Sequence, residues 1–452
     1  MNNHTWHPAP IDSQECTLLE IAELALSRAA NKGATGAEVS MGHGQGISVT
    51  VRRGQVETVE HNRDKSLGVT VFFEHRSGSA DTTDYSATAV ESCVDAACNI
   101  ARFTEQDEFN GLAEPDLLAT EFPELDLYHP WDLDMEQAIE LAQRCEQAAL
   151  EQDKRITNTE GGSISSHHGS DLYANSNGFR GLSRNSRHST SCSVIAGEGD
   201  GMQRDFWFDS CRDRNDLMLP EEVGKETARR TLRRLGARKI RTGDYPVIYE
   251  APVAGSLMSH LVSAINGSSL YRQASFLLDS KGEQIFSRQI RIHEQPLLKK
   301  ASGSASFDNE GVATKPRDIV SNGVLNEYVL NSYSARKLGL QTTGNAGGVH
   351  NLTIDSTING GLEDLLSQMG TGLLVSELIG FGVNTVTGDY SRGAFGFWVE
   401  NGKIEYPVQE FTIAGNLRDM FRSIEAVASD VDTRRSTRTG SLLISKLTVA
   451  GE

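Results

Sequence analysis

The chain has 452 residues, of which 38% are hydrophobic and 23% are charged. This composition is typical of globular proteins, and the length suffices for roughly two to four domains. Its 61 acidic side chains outnumber 43 Lys and Arg, and the resulting net charge of −18 disfavours direct binding to nucleic acid. No apolar stretch reaches the ~18 residues of a membrane span, and no secretory signal begins the chain. We therefore expect a cytoplasmic protein that makes no membrane contact.

A first α+β domain is predicted over residues 1–125, and it begins with a polar arm of about a dozen residues. Residues 14–31 have apolar side chains at helical spacing. Alternating apolar residues between 47 and 73 predict a small antiparallel sheet, and residues 86–104 predict a second helix. The expected order of this domain is helix, sheet, helix.

A second α+β domain is predicted over residues 126–240. The acidic, proline-containing segment 105–133 is interpreted as a connector, and a helix is expected over 134–152. Short strands are predicted between residues 156 and 211. Their turns are expected at Gly161-Gly162 and Asn177-Gly178. Pro220 is suited to the first turn of a final helix that Gly236 ends.

Residues 229–241 contain seven cations in thirteen positions. One interpretation is a patch that binds phosphate or a partner protein. The other is the solvated C-terminal end of a helix, where cations suit the helix dipole. We favour the second interpretation, because no aromatic residues are interleaved and the whole chain is acidic.

The third predicted domain, residues 241–452, is rich in glycine and in short strands. Its clearest element is a hairpin over 395–408, in which apolar residues alternate on both sides of Asn401-Gly402. Asn322-Gly323 predicts a similar hairpin within 318–330. Because helices and strands do not alternate strictly along the chain, the predicted fold class is α+β with a β-rich C-terminal domain.

The sequence contains no complete nucleotide-binding or serine-hydrolase motif. The runs G-x-G-x-G at 42–46 and 197–201 lack the last glycine of a dinucleotide-binding loop, so both are interpreted as turns. G-x-x-x-x-G-K-[ST] and G-x-S-x-G do not occur.

The spacing of the histidine, glutamate and cysteine residues also does not indicate a metal site. The single His-Glu pair, His293-Glu294, has no second histidine one turn away, as a zinc peptidase helix requires. His260 and His350 are isolated, and no cysteine follows Cys211. We therefore assign no catalytic residue and no metal ligand to this chain. A site assembled by folding from distant residues stays open.

A series of motifs carries a family resemblance. The motifs are LLDSKG at 277–282, SYSARKLGL at 332–340, TGNAGG at 343–348, GTGLLVSELIG at 370–380 and TGDYSRGAFGFWVENGKIEYPVQEFTIAGNL at 387–417. With RRGQVE at 52–57 and TNTEGG at 157–162, the series resembles the TldD/PmbA family of peptidases, and within it the PmbA (TldE) branch.

The resemblance implies a cytoplasmic peptidase of two subunits that cleaves unfolded or flexible peptides. The TldD-type sibling carries H-E-x-x-x-H and a later cysteine that hold zinc. The corresponding region here, 247–262, offers Glu250 and His260 without that motif. Zinc is therefore expected in the partner subunit and no cofactor in this chain. The family is linked to maturation of peptide antibiotics, to antitoxin turnover and to modulation of DNA gyrase.

Two loops are predicted to contact substrate or the partner. The glycine-rich segment can offer bare backbone to an extended peptide, and polar residues between two glycines precede the long hairpin. The predicted residues are Gly344, Asn345, Gly347, Gly348, Asp389, Tyr390, Ser391 and Arg392. Two other functions remain as alternatives: a non-proteolytic protein that acts on gyrase or a toxin–antitoxin pair, and an independent hydrolase with an unrecognised site. A homodimer is a further possibility when the sibling is absent.

Overall fold

The computed structural model describes residues 5–6 and 13–451 of the chain. Most of the predicted polar arm therefore lies outside the described residues. The exception is a two-residue strand, β1 (Thr5–Trp6), which pairs in parallel with residues 180–181.

The first region contains the two predicted helices and a sheet that is larger than expected. Its elements are α1 (Ser13–Asn31), β2 (Gly36–Arg52), β3 (Gln55–Phe73), β4 (Arg76–Thr82) and α2 (Ala87–Phe103). Both helices bury an apolar stripe, which for α2 includes Val90, Val94 and Ala97. The glycine run at 42–46 lies inside β2, which is paired on both sides. Its interpretation as a turn is therefore wrong.

The middle region has three long strands where short ones were predicted. Its elements are α3 (Met135–Leu150), β5 (Ile156–Asn175), β6 (Arg180–Ala196), β7 (Gln203–Cys211) and α4 (Pro220–Leu232). The turn at Asn177-Gly178 and the glycine turn after residue 196 are confirmed. Gly161 and Gly162 do not form a turn but lie within β5, where the register shifts at a bulge.

The strands of both regions form one seven-stranded sheet. Its order is β1-β6-β5-β2-β3-β4, and β7 also pairs with β6, along the edge that faces away from β5. Strands β2 and β5 pair antiparallel along most of their length. The sheet therefore connects the two predicted N-terminal domains across the boundary at residue 125.

The C-terminal region builds two further sheets around a large apolar core. Its strands are β8 (Gly243–Tyr249), β9 (Ile292–Glu294), β10 (Arg317–Ser321), β11 (Val324–Leu325), β12 (Leu352–Ile354), β13 (Gly372–Ile379), β14 (Asp389–Glu400), β15 (Lys403–Asn416), β16 (Ile424–Val427), β17 (Thr437–Arg438) and β18 (Leu442–Ala450). Its helices are α5 (Ala251–Ile265), α6 (Gly267–Tyr271), α7 (Ser332–Lys337), α8 (Leu362–Met369) and α9 (Leu417–Arg422).

One of these sheets has six strands in the order β15-β14-β13-β8-β18-β16, and the other has five in the order β11-β10-β9-β12-β17. Both predicted hairpins are confirmed. Asn401 and Gly402 have φ values of 49° and 76°, as a type I′ turn requires, and Asn322 and Gly323 have values of 51° and 76°. The fold is α+β, as predicted. No helix among the described residues has both the length and the apolar composition that crossing a bilayer requires.

The interpretation of residues 229–241 as a solvated helix end is correct for Arg229, Arg238, Lys239 and Arg241, which are exposed, but it is wrong for the arginines of α4 that face the C-terminal region. Arg230 and Arg234 are 5% and 8% exposed. The Arg234 guanidinium lies 3.8 Å from the ring centroid of Phe395 and pairs with Glu377 at 2.6 Å. These contacts join the middle region to β13 and β14, and the desolvated cations are compensated by carboxylates and aromatic faces.

Candidate functional site

The glycine-rich loop 343–348 packs beside the five-stranded sheet. The Asn345 Nδ2 donates to Glu294 Oε1 at 2.9 Å, and Asn345 Oδ1 accepts from the Arg317 guanidinium at 2.5 Å. Asn345 is 5% exposed and Glu294 is 2% exposed. Asn345 therefore fixes the loop through a buried polar network, and its side chain is not free to contact a peptide.

The three predicted glycines of this loop all have positive φ: 71° at Gly344, 102° at Gly347 and 118° at Gly348. Gly344 is buried, and a Cβ there would lie 2.9 Å from the Ala313 carbonyl oxygen. The backbone N–H and C=O of Gly348 both bond to Asn345. Gly347 is the exposed member, so it is the position where this loop can offer backbone to another molecule.

A groove of 1290 Å³ runs beside the loop, and Thr343 and Gly344 form part of its wall. The segment 116–123, which the sequence presented only as part of a connector, also lines the groove. The exposed Leu297 and Leu340 lie in the groove, 38% and 43% exposed, together with charged side chains of both signs. Exposed apolar side chains with scattered polar groups suit an extended peptide of mixed sequence.

A second cavity, of 800 Å³, shares Pro123 and Ser306 with the groove. We name it the acidic cavity, because Glu38, Asp171 and Asp308 are among its lining residues. Burial raises the pKa of the Glu38 and Asp171 carboxyls and raises that of Asp308 to about 7. Burial makes carboxylates costly to ionise, so this cavity favours a cationic or hydrogen-bond-donating group.

The second predicted group, residues 389–392, lies at the start of β14 and has no single environment. Asp389 and Ser391 are exposed, and the Asp389 carboxylate accepts from the Thr387 hydroxyl at 2.6 Å. Tyr390 is 1% exposed and accepts a hydrogen bond from Tyr249 at 3.4 Å between the hydroxyl oxygens. A role in binding is therefore open to Asp389 and Ser391, whereas Tyr390 belongs to the core.

Tyr390 and Arg392 lie near His260, which belongs to the region that corresponds to the metal motif of the sibling. The His260 ring packs edge-on against Tyr390, with 5.9 Å between ring centroids. Burial lowers the pKa of His260, and the Arg392 charge lowers it further. The buried His260 Nε2 has no hydrogen-bond partner among the described residues. The unpartnered imidazole nitrogen alone does not make a metal site, because the Arg392 cation lies nearby and, among the described residues, no group of three metal-binding side chains is present.

Glu250, the other residue of that region, is committed to ion pairs. It precedes α5, and its carboxylate lies 3.1 Å from Arg233 and 3.4 Å from Arg230. A metal ion there would have to displace two arginines from a carboxylate that is largely buried. The donor set Glu250 and His260 therefore does not fit zinc.

The His293-Glu294 pair is likewise engaged in protein contacts. His293 Nε2 lies 2.9 Å from Asp355 Oδ1, and Glu294 Oε2 accepts from Arg317 Nε at 2.6 Å. Within residues 13–451 no three His, Cys, Asp or Glu side chains are grouped as a metal site requires.

The structure places the two predicted loops on different sheets and adds residues that the sequence did not mark. The glycine loop belongs with the groove, whereas 389–392 belongs with α5. The segment 116–123 was missed as a groove wall. The available signal was Leu117, Leu118 and Phe122, which are apolar within an acidic connector.

Comparisons with family models cover most of the chain. Residues 37–101 match the PmbA/TldA metallopeptidase domain 1, residues 128–235 match the central domain, and residues 242–451 match the C-terminal domain.

Individual relatives match along almost the whole chain. It is 50% identical to the metalloprotease PmbA of Escherichia coli O157:H7 over 98% of each chain. A crystal structure from Bacteroides thetaiotaomicron, whose proposed role is modulation of DNA gyrase, superposes with a TM-score of 0.92 at 30% identity, covering 98% of this chain and 100% of that one. The fold is also that of TldE from Thermococcus kodakarensis, with a TM-score of 0.79 at 19% identity over 96% and 100% of the two chains.

Proposed function

Because this chain belongs to the PmbA/TldA metallopeptidase family, we propose that it is the metal-free subunit of a two-chain zinc peptidase. A TldD-type sibling supplies the zinc site, and this chain completes the enclosure and holds the substrate. The complex acts in the cytoplasm on unfolded or flexible peptides, such as precursors of peptide antibiotics or unstable antitoxins.

The observation that carries the proposal is the environment of Glu250. Its carboxylate neutralises Arg230 and Arg233, and His260 faces Tyr390 and Arg392 rather than a second metal ligand. A chain of this family that uses these residues for packing needs its metal from elsewhere. The partner subunit is the source that the family resemblance suggests.

The groove beside the glycine loop supports a role in holding peptides. A folded protein presents few extended segments, whereas an unfolded peptide can lie along a groove and bury apolar side chains against Leu297 and Leu340. Charged residues of both signs along the walls favour peptides of mixed sequence over one narrow motif.

The alternative function is an interaction protein that modulates DNA gyrase without proteolysis. It is favoured by the role proposed for the Bacteroides relative, which is 30% identical. The two functions differ in one product: only a peptidase subunit yields cleaved peptide, and only zinc-dependent cleavage is sensitive to a chelator.

The test is cleavage of an unstructured fluorogenic peptide by the purified chain, by a TldD-type subunit, and by the mixture, each with and without chelator. We expect cleavage to be fast only in the mixture and to be lost on chelation. Chelator-sensitive cleavage by this chain alone, with contaminating sibling excluded by mass spectrometry, would contradict the proposal. An inactive mixture that still alters gyrase supercoiling would favour the alternative.

A further inference from the structure

A strongly cationic pocket of 310 Å³ lies where the middle of β6 and the end of β7 meet β17 and the segment 298–302. We name it the basic pocket. Two carboxylates, Asp209 and Asp216, are among its lining residues. Its six cations are Arg187, Arg212, Lys299, Lys300, Arg434 and Arg438. In a chain with a net charge of −18, this local excess of positive charge calls for a physical reason.

Two of the six cations are neutralised within the protein. Lys300 Nζ lies 2.7 Å from Asp213 and 2.9 Å from Asp216. Arg434 forms an ion pair with Asp432 at 2.7 Å. The carboxylates of Asp213, Asp216 and Asp432 are therefore already paired.

The other four cations have no carboxylate partner in the part of the chain that the structure describes. Asp209 does not neutralise them, because no ion pair joins it to a cation there, and its carboxylate accepts the Met218 N–H at 2.8 Å. Arg438 is half-buried, and burial alone lowers its pKa. Arg187 and Lys299 are exposed at the mouth.

Arg212 is a partly buried cation with incomplete hydrogen bonding. Its guanidinium donates only to the carbonyl oxygens of Ser186 and Ser302, at 3.1 and 2.8 Å. Arg212 Nε and the Ser302 hydroxyl oxygen are buried without a hydrogen-bond partner among the described residues. Unpaired buried polar atoms cost free energy that a bound ligand can recover.

The positive charge of Arg187 makes the burial of Arg212 still less favourable. His188, in the middle of β6, pairs with Cys211, the last residue of β7, so Arg187 and Arg212 are the next residues on the two neighbouring chain segments. Burial and then the charge of Arg187 lower the pKa of the Arg212 guanidinium. Like charges opposite each other on neighbouring strands are destabilising, and an anion bound between them would lower the repulsion.

We propose that the basic pocket binds a carboxylate of the peptide substrate, either its C-terminal carboxylate or an Asp or Glu side chain. Planar guanidinium groups bind carboxylates through two parallel hydrogen bonds, which suits Arg187, Arg212 and Arg438. This inference rests on the proposed function, which makes peptides the ligands.

The position of the pocket supports a peptide ligand. Arg212 lines both the basic pocket and the acidic cavity, and the acidic cavity shares Pro123 and Ser306 with the groove. The three spaces therefore follow one another along the junction of the N-terminal and C-terminal regions. A peptide that lies in the groove can extend toward the basic pocket with its acidic end.

The experiment is calorimetric titration of the full chain, without partner, with three unstructured peptides of one neutral sequence. The first has a free C-terminal carboxylate, the second is amidated, and the third is amidated and carries one internal Glu. We expect the first or the third peptide to bind at least about tenfold more tightly than the second, since hydrogen bonds to charged groups are the stronger ones. Which of the two does so identifies the source of the carboxylate.

The variant R187Q/R438Q should lose this preference, whereas R63Q/R241Q should keep it. The control removes the same charge from two exposed arginines outside the pocket. Thermal unfolding of both variants checks that they fold. Equal affinity for all three peptides would overturn the proposal, and so would a preference that survives in R187Q/R438Q or binding of inorganic phosphate alone.

The outcome is separate from that of the cleavage test. A carboxylate preference that depends on Arg187 and Arg438, in a chain that never supports cleavage, would sustain the pocket and remove the proposed function. Cleavage by the mixture without any carboxylate preference would do the reverse.

Discussion

At the scale of single residues, the buried carboxylate of Glu250 separates this chain from one that could hold a metal at α5. It is 7% exposed and faces Arg230 and Arg233. The negative charge of Glu250 stabilises the folded chain, because removing one partner of a buried ion pair leaves an uncompensated charge.

We therefore predict that Glu250→Gln lowers the free energy of unfolding by about 3 kcal/mol, as expected for the loss of one partner from a buried pair. Asp205, which lies 3.5 Å from Arg230, limits the loss. Urea denaturation of the purified chain measures the change.

The matched control is Glu226→Gln in α4. Glu226 pairs with Arg229, whose side chain is 57% exposed, so the change should cost less than about 1 kcal/mol. Equal losses in the two variants would show that burial of the Glu250 pair is unimportant.

A second residue-scale prediction concerns pH. Burial holds the pKa of His260 below its usual 6.5, so the folded chain binds fewer protons there than the unfolded chain. The contribution of His260 is therefore fully present above pH 6.5 and is lost as the pH falls through the lowered pKa. Protonation would place a second cation near Arg392 and against the ring of Tyr390.

In H260Q this contribution to the pH dependence is absent. As the pH is lowered from 8 to 5, we expect the Tm of the native chain to fall relative to the Tm of H260Q. A difference that stays constant over this range would mean that His260 titrates alike in the folded and unfolded chains.

The sequence could name residues but not their surroundings. Asn345 was predicted near substrate because its glycine-rich segment can offer bare backbone to a peptide. Tyr390 was predicted there because polar residues between glycines often lie in functional loops. Their burial depends on Glu294, Arg317 and Tyr249, which are distant in sequence. The link between Arg230 and Glu250 also forms only when α4 packs against the C-terminal region.

At the scale of elements, helix α3 approaches strand β5 at a bare glycine. A Cβ on Gly162 would lie 2.4 Å from the Ala142 carbonyl oxygen, which is backbone and cannot rotate away. We predict that Gly162→Ala separates the helix from the sheet and lowers the free energy of unfolding by about 1–3 kcal/mol, as other overpacked sites do.

Gly44→Ala is the control in the neighbouring strand β2. A Cβ there meets only the His168 carbonyl oxygen, at 3.8 Å, which is an ordinary contact. The change should stay within about 0.5 kcal/mol. Similar costs for both substitutions in urea denaturation would contradict the close approach of α3.

Elements with local chemical signals were predicted well. The Asn-Gly hairpins and the helices α1 to α4 follow from turn chemistry and from spacing within one segment. The long strands β2, β5 and β6 were not foreseen, because histidines, serines and glycines interrupt their apolar alternation. Pairing with strands far along the chain stabilises them, and one sequence segment does not contain that information.

At the scale of the whole molecule, the lining of the groove leads to a prediction about the proposed complex of this chain with a TldD-type subunit. Leu340 lines the groove and is 43% exposed, so Leu340→Asp should weaken peptide binding without unfolding the chain. We expect KM for an unstructured peptide to rise about tenfold with kcat little changed. This result is typical of the loss of an interaction that is equally strong in the bound substrate and in the transition state.

Leu219→Asp serves as the control. Leu219 is 58% exposed, lies outside the groove, and precedes α4, where an aspartate is well tolerated as a helix cap. Its kinetics should match those of the native complex. A fall in kcat with unchanged KM in Leu340→Asp would place this residue in assembly or chemistry instead of peptide binding.

In the proposed complex, the zinc is bound by the partner subunit and not by this chain. The most direct measurement is the zinc content of the purified chain, alone and in complex with a TldD-type subunit, after loading with zinc and removal of free metal. We predict negligible zinc on the chain alone and one zinc per pair of chains in an active complex. One tightly bound zinc on the isolated chain, accompanied by peptide cleavage, would contradict it.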